Sequence, residues 1–409
     1  MKKTLVLVLL ALLVSSLFSY FDYSGEFRTR YSWLRDWFDS PNLSDRFIDS
    51  RLQAQFQATP INNLRVVFGV QVGDLTWGDD AETGIFSKHI NIRTQHLYAA
   101  FTGIERTEIQ MGLLPWNDMQ SLVFDEDFAG VFFRHEFCNY VTLETGYGLL
   151  RNGESVLHSN WYGPLSHQYS SNADNALYFV NVEYEKEVGI QTLVNTYKYG
   201  PGRNRAYHAW AMPYINKEFG RLAMSTVLAY NFGFIDRDSD FKNTVNHGLG
   251  FSLDLELDAG RGGKPGVNLL ITTGDNGDDP ESTTYFATIS SDYQNGLELL
   301  GNGVHDGSPR DYWFDPFNGG HGILSAVARY SLPLCPKTTL RFAVGTMSAI
   351  EEGGREGTLM GTEVNLGVQF NLLRDLSIDV IGAYAMPDAF FGKDLENVIG
   401  VHGKLNINF

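Results

Sequence analysis

Cysteine is scarce in this 409-residue chain: Cys138 and Cys335 are too few for a disulfide scaffold and fit no CxxC or zinc spacing. Basic residues are also in short supply. The 31 Lys and Arg face 48 Asp and Glu, a formal net charge of −17. That balance argues against nucleic acid as a partner, because a phosphate backbone needs a basic surface. Beyond the N-terminus no apolar run approaches the ~20 residues of a spanning helix, so membrane residence of the remaining chain must use strands. No GxSxG, HExxH, Walker or dinucleotide fingerprint is present. The enzymatic readings are therefore poor, and no cofactor or metal site is expected. His89 and His96 fall on one expected strand with opposite parity and cannot converge without a bulge.

What the chain does contain is aromatic residues (13%, including 20 Tyr and 28 Phe) and 42 Gly, at only 43% hydrophobic content. Strongly acidic chains are often disordered, but few of those carry so many aromatics. High Tyr, Phe and Gly at moderate hydrophobicity is the composition of a chain that alternates apolar and polar side chains.

Lys2 and Lys3 precede an apolar run from Thr4 to Leu13, followed by the small residues Ser15, Ser16 and Ser19. A charged start, a short apolar core and a small-residue exit describe a secretory signal peptide. It is expected to span residues 1–19, with cleavage after Ser19 or, alternatively, Ser16. The run is too short for a membrane anchor. Residues 20–409 are then one exported domain, periplasmic, secreted or in an outer membrane.

Within that domain the alternation recurs from end to end. Leu64, Val66, Phe68, Val70 and Val72 alternate with Arg65, Val67, Gly69, Gln71 and Gly73. Leu249, Phe251, Leu253, Leu255 and Leu257 alternate with Gly250, Ser252, Asp254, Glu256 and Asp258. Short turns such as 59–63, 102–106 and 333–337 separate longer acidic or Gly-rich loops such as 73–88, 115–127, 151–175 and 275–320. Short and long connections taking turns are the mark of an up-and-down outer-membrane barrel. The fold expected is all-β: a transmembrane antiparallel β-barrel of roughly eighteen strands, from near 22–35 to 397–409. The segments near 107–114 and 128–137 alternate least, which makes sixteen the competing count. A secreted β-sandwich would share the alternation but not the loop asymmetry. Nor would it place Tyr23, Tyr31, Trp33, Tyr98, Trp116, Tyr147, Tyr230 and Tyr384 near strand ends, as interfacial girdles require.

The last nine residues, Val401 to Phe409, alternate outward and inward and end on Phe409, which resembles the terminal assembly signal of bacterial outer-membrane barrels. From about Asp22 onward the chain resembles large outer-membrane porins, and its strand count resembles the alginate-export and substrate-specific group. Gln110 to Asp118 followed by Phe128 to Val131 is similar to a strand–loop–strand unit of that group, although the Gly-Arg-Gln expected near Met111–Leu113 is missing. The resemblance implies residence in the outer membrane, handling by the barrel-assembly machinery, a transport role and a monomeric or homotrimeric state.

If the apolar parity faces lipid, the opposite parity lines the pore. On the early strands these residues are Glu26, Arg28, Arg30, Asp49, Arg51, Gln53, Gln55, Arg65 and Arg93. Farther round they are Glu144, Asn181, Glu183, Asp254, Glu256, Glu363 and Asp379. Basic residues thus gather on strands one to four and acidic ones dominate the rest, with Arg341 and Lys404 as exceptions. Unlike walls would orient dipolar solutes. The plainer expectation is mutual neutralisation across adjacent strands: Arg28 or Arg30 with Asp49, and Arg51 with Glu26. A barrel of this size needs narrowing. The long loop 275–320 offers Tyr285–Thr288 and Tyr312–Phe314 to fold inward or cap the mouth, and 151–175 is the second candidate. Asp275, Asp278, Asp279 and Glu281 lack an EF-hand spacing and are expected to be a solvated acidic loop. The function expected is passive diffusion of ions and small hydrophilic solutes, such as sugars or organic acids. The alternatives are a non-conducting structural or adhesion barrel and an outer-membrane hydrolase.

Overall fold

The computed structural model describes residues 20–35, 44–77, 92–150, 175–198, 205–236, 243–279, 281–301, 315–392 and 395–409. The expected signal peptide, most of the 151–175 loop and Tyr312–Phe314 lie outside the described residues. The first strands are β1 (Tyr20–Arg35), β2 (Ser44–Ile61), β3 (Leu64–Trp77), β4 (Ile92–Ile104), β5 (Thr107–Asn117) and β6 (Asp125–Glu136). Next come β7 (Val141–Leu150), β8 (Ala176–Tyr184), β9 (Val188–Lys198), β10 (Arg205–Phe219), β11 (Leu222–Asp236), β12 (Thr244–Leu257) and β13 (Lys264–Thr272). A two-residue β14 (Ser282–Thr283) lies in the long loop and runs parallel beside β12. The ring continues with β15 (Ile323–Cys335), β16 (Thr338–Ala349), β17 (Leu359–Leu373), β18 (Leu376–Pro387) and β19 (Val398–Asn408).

Each long strand pairs antiparallel with its neighbours in sequence, and β1 also pairs with β19 from Glu26↔Asn408 to Arg35↔Ile399. The eighteen long strands therefore close on themselves, and none of them is left with an unpaired edge. Closure and the direction of the apolar side chains together exclude a sandwich. Met111, Leu366 and Leu249 are 67%, 54% and 49% exposed on the outer surface, whereas inward Val67, Ser252 and Glu363 are essentially buried. A water-soluble sheet would cover its apolar face, whereas this one displays it all round.

The weakly alternating β5 and β6 are both present, registered from Thr107↔His135 to Asn117↔Asp125, so the count is eighteen and not sixteen. Their alternation is faint for a physical reason: Leu114 and Phe128 face inward onto an apolar core inside the barrel. The same core explains two displaced girdle residues. Trp116 stacks inside on Phe179 at a ring distance of 4.0 Å, and Tyr98 packs against the internal cluster. Tyr23, Tyr31, Tyr147, Tyr230 and Tyr384 are exposed on the outside as expected.

Connections at one rim are tight, 62–63, 105–106, 220–221, 336–337 and 374–375 among them, and both ends of the described chain lie at this rim. The opposite rim carries the long connections, including 78–91, 151–175 and 273–322. Cys138 and Cys335 are exposed free thiols at the short-turn rim.

The seam uses the last residue of the chain. Phe409 and Gly25 exchange backbone hydrogen bonds of 2.8 and 3.0 Å. A Cβ on Gly25 would lie 2.5 Å from the Phe409 ring and 2.6 Å from the Gln53 carbonyl oxygen. Deleting Phe409 or making Gly25→Val should lower the yield of folded barrel. Heat-modifiability on gels and surface abundance measure it, and unchanged values for both variants would contradict this role of the seam.

Candidate functional site

The inner wall is built from charges that meet across strands. Arg30 Nε donates to both Asp49 carboxylate oxygens at 2.9 Å, and Arg28 Nη2 lies 3.6 Å from the same carboxylate. Arg51 donates to Glu26 at 3.3 Å, and Arg65 to Glu108 at 2.9 Å. Both pairings expected from the sequence on β1 and β2 are thus formed. Such contacts arise because residues facing one another on adjacent strands share a side of the sheet. Farther round, Arg329 grips Asp254 with two nitrogens at 2.5 and 2.7 Å, a fork that lysine cannot reproduce. Arg134 approaches Glu144 at 3.6 Å, and Arg341 approaches Asp379 at 3.6 Å. The expected division into a basic and an acidic wall, already broken by Arg341 and Lys404, is corrected further: Arg134 and Arg329 also place cations among the acids of the later strands.

Two loops from the long-connection rim turn into the barrel. The shorter, 118–124, buries Leu122, Val123 and Phe124 completely. Its Met119 N–H donates to Gln191 on β9 at 2.8 Å, and Gln120 Nε2 donates to Ser225 on β11 at 2.8 Å. The loop is held in shape by Asp118, whose carboxylate accepts the N–H groups of Leu122, Val123 and Phe124 at 2.6–2.8 Å. Burial pushes this carboxyl up to about 7, even though the three donors favour its ionised form.

In the longer loop, 273–322, the described residues 281–301 cross the interior. Trp210 Nε1 donates to the Ala287 carbonyl at 2.9 Å, while the Ala287 N–H donates to Asn231 at 3.1 Å. The Tyr293 hydroxyl reaches Ser252 at 2.8 Å and Asn268 at 2.9 Å. Asn295 donates to Ser325 on β15 at 3.2 Å. Inward glycines make room for the apolar residues of the loop: a Cβ on Gly250 would lie 2.8 Å from the Phe286 ring, and one on Gly400 2.8 Å from Leu299. The two loops join each other through a parallel bridge, Phe124↔Ser290, with Ile289 N–H donating to the Val123 carbonyl at 2.9 Å. Of the two alternatives left open for Tyr285–Thr288, folding inward or capping the mouth, the segment takes the inward one.

The ring of eighteen strands, the charged inner wall and the infolded loops decide the comparison with solved structures. Its counterparts include a bacterial porin. OccK8 (OprE) of Pseudomonas aeruginosa superposes with a TM-score of 0.59 at 12% identity, over 96% of this chain and 98% of that one. A BenF-like porin from Pseudomonas fluorescens Pf-5 gives 0.59 at 11% identity, over 96% and 99%. OprD of Pseudomonas aeruginosa gives 0.53 at 13%, over 95% of both chains. At these identities the likeness is one of fold. No family model matches the sequence, and no curated protein is similar to it.

Of the residues named from the sequence, Arg28 and Asp49 are buried within the wall, while Glu26, Arg30, Arg51, Arg65, Glu144, Glu183, Asp254 and Glu256 keep partial exposure. Gln53 donates to Gln71 at 2.9 Å, Asn181 to Glu144 at 3.1 Å, and Tyr214 to Glu183 at 2.9 Å. Arg93 is exposed, and it shares the inner side with Gln71 because a register shift at Gly69/Val70 resets the parity of β4. Glu363 differs from the rest: it is fully buried beneath the long loop. Sequence reasoning missed Asp118, Trp116, Arg134, Arg329 and the apolar 122–124 segment. Arg134 and Arg329 share a parity with inward Phe128 and Val327, so apolar neighbours masked them. Asp275 and Asp279 accept N–H groups of their own loop, Gly277 at 2.7 Å and Glu281 at 2.9 Å, and among the described residues no group of side chains could hold a metal ion.

A carboxyl whose value rises on folding stabilises the fold most at low pH and loses that contribution as pH climbs toward its folded value. Protection of the 118–124 amides against hydrogen exchange, after correction for intrinsic rates, should fall between pH 4 and 7. The slope should vanish in Asp118→Asn; a slope that survives in that variant would assign it to another group.

Proposed function

We propose that the chain is an outer-membrane porin, a passive channel for ions and small hydrophilic solutes. One observation carries this reading: a closed ring shows apolar side chains to its surroundings and paired charges to its interior, which suits a cylinder between lipid and water. The porin title of one structural counterpart, the BenF-like protein, supports it. Residues 1–19 direct export and are then removed, and the barrel-assembly machinery reads the terminal strand ending at Phe409. Glu26, Arg28, Arg30, Asp49, Arg51, Arg65, Arg93, Glu144, Glu183, Asp254 and Glu256 make up the charged wall along the passage, with Glu363 beneath the infolded loop. Solute moves down its gradient without cofactor or turnover, in a monomer or a homotrimer.

The forked arginines can grip carboxylates transiently, while the excess of acidic side chains gives mild cation preference. Purified, heat-modifiable protein should give conductance steps in a planar bilayer. The reversal potential in a salt gradient should have the sign of a weakly cation-selective pore, and clear anion preference would refute that selectivity. The apolar packing between the two infolded loops favours a second reading, a barrel with a closed lumen. Folded protein that gives no steps would establish it.

A further inference from the structure

The charged wall does not by itself fix where the long loop sits. Its far arm, residues 295–300, lies against β15, β17 and β19, and the clearest polar attachment there is one side chain. Glu363 on β17 accepts the N–H groups of Glu298 at 2.6 Å, Leu299 at 3.1 Å and Leu300 at 2.6 Å, with both carboxylate oxygens engaged. Neighbouring Asn365 adds a bond to the Gly296 carbonyl at 3.4 Å. Glu363 has no exposure to solvent, and Leu297, Leu299 and Leu300 above it are almost completely buried. Three successive backbone donors converging on one buried carboxylate form a charge-assisted cradle, and hydrogen bonds of this kind are roughly twice as strong as neutral ones. Removing the acceptor strands three buried donors at once. At the near arm the loop is bonded to 118–124 through Val123 and Ser290, so the two infolded loops form one packed unit.

We propose that Glu363 is the positioning residue of the channel constriction: its carboxylate latches residues 298–300 to the wall and so sets the size of the opening that the infolded loops leave. The conductance consequence rests on the porin reading, but the latch itself does not. Two measurements keep them apart. Leu299 is 1% exposed, so Leu299→Cys in a Cys138→Ser, Cys335→Ser background should resist a water-soluble maleimide. Adding Glu363→Ala should accelerate labelling by roughly tenfold or more. Glu363→Gln keeps the shape and one acceptor oxygen, and should fall between the two. Heat-modifiability confirms that each barrel is folded, and if the alanine variant fails to fold the glutamine variant carries the test. In bilayers the same substitutions should raise unit conductance or introduce flicker in the order Ala over Gln over Glu. Faster labelling without conductance in any protein would uphold the latch and overturn the channel. Unchanged labelling in folded Glu363→Ala, or in folded Glu363→Gln if alanine does not fold, would overturn the latch. Conductance steps that stay identical in the three proteins would overturn its role in the constriction.

Discussion

A backbone placed in lipid has no water to satisfy its N–H and C=O groups, so every strand must find a partner on both sides. In this chain that requirement is met at the seam, where β1 accepts β19 over ten residue pairs and the aromatic C-terminal residue lies against Gly25. Once the ring is closed, the period of two along each strand dictates which side chains meet lipid and which meet one another inside. The ion pairs of the wall follow from that geometry. Arg30 finds Asp49 because the two are directly opposed in the β1–β2 register, and Arg28 and Arg51 are opposed two residues away on the same face.

The interior is divided by height. Toward the long-connection rim, inward side chains such as Leu34, Phe128, Trp210 and Val398 are buried under the infolded loops and form an ordinary apolar core. Toward the short-turn rim, inward residues such as Glu144, Glu256, Arg329 and Lys404 keep part of their surface open. The barrel therefore combines two solvents' worth of chemistry in one lumen. Hydrophobic burial fixes the loops, and charged pairs line what the loops do not fill. Polar pins such as Trp210 to Ala287 and Tyr293 to Ser252 select one docking of the loop, which apolar contact alone would leave loosely specified.

Much of this was legible in the sequence, because alternation is a local property. β3, β12 and β17 carry strict two-residue periodicity, and their faces could be assigned residue by residue. Pairings such as Arg51 with Glu26 followed from register. The signal failed where the interior ceased to be aqueous. β5 and β6 point Leu114 and Phe128 inward, so their pattern blurs although their pairing is complete. Trp116 and Tyr98 read as girdle residues for the same reason. Asp118 and Glu363 were beyond reach as anchors, because a carboxylate that holds backbone groups looks in sequence like any other acid on a loop or a polar face. The parity of β4 likewise depended on a bulge that no composition announces.

The long loop leaves the sheet between two adjacent strands, β13 and β15, yet its contacts reach β10, β11, β12, β17 and the shorter loop after β5. Those docking points come within reach of one loop because the sheet curls round it. The loop is accordingly a chord across the lumen, tying together strands that the sheet itself holds several neighbours apart.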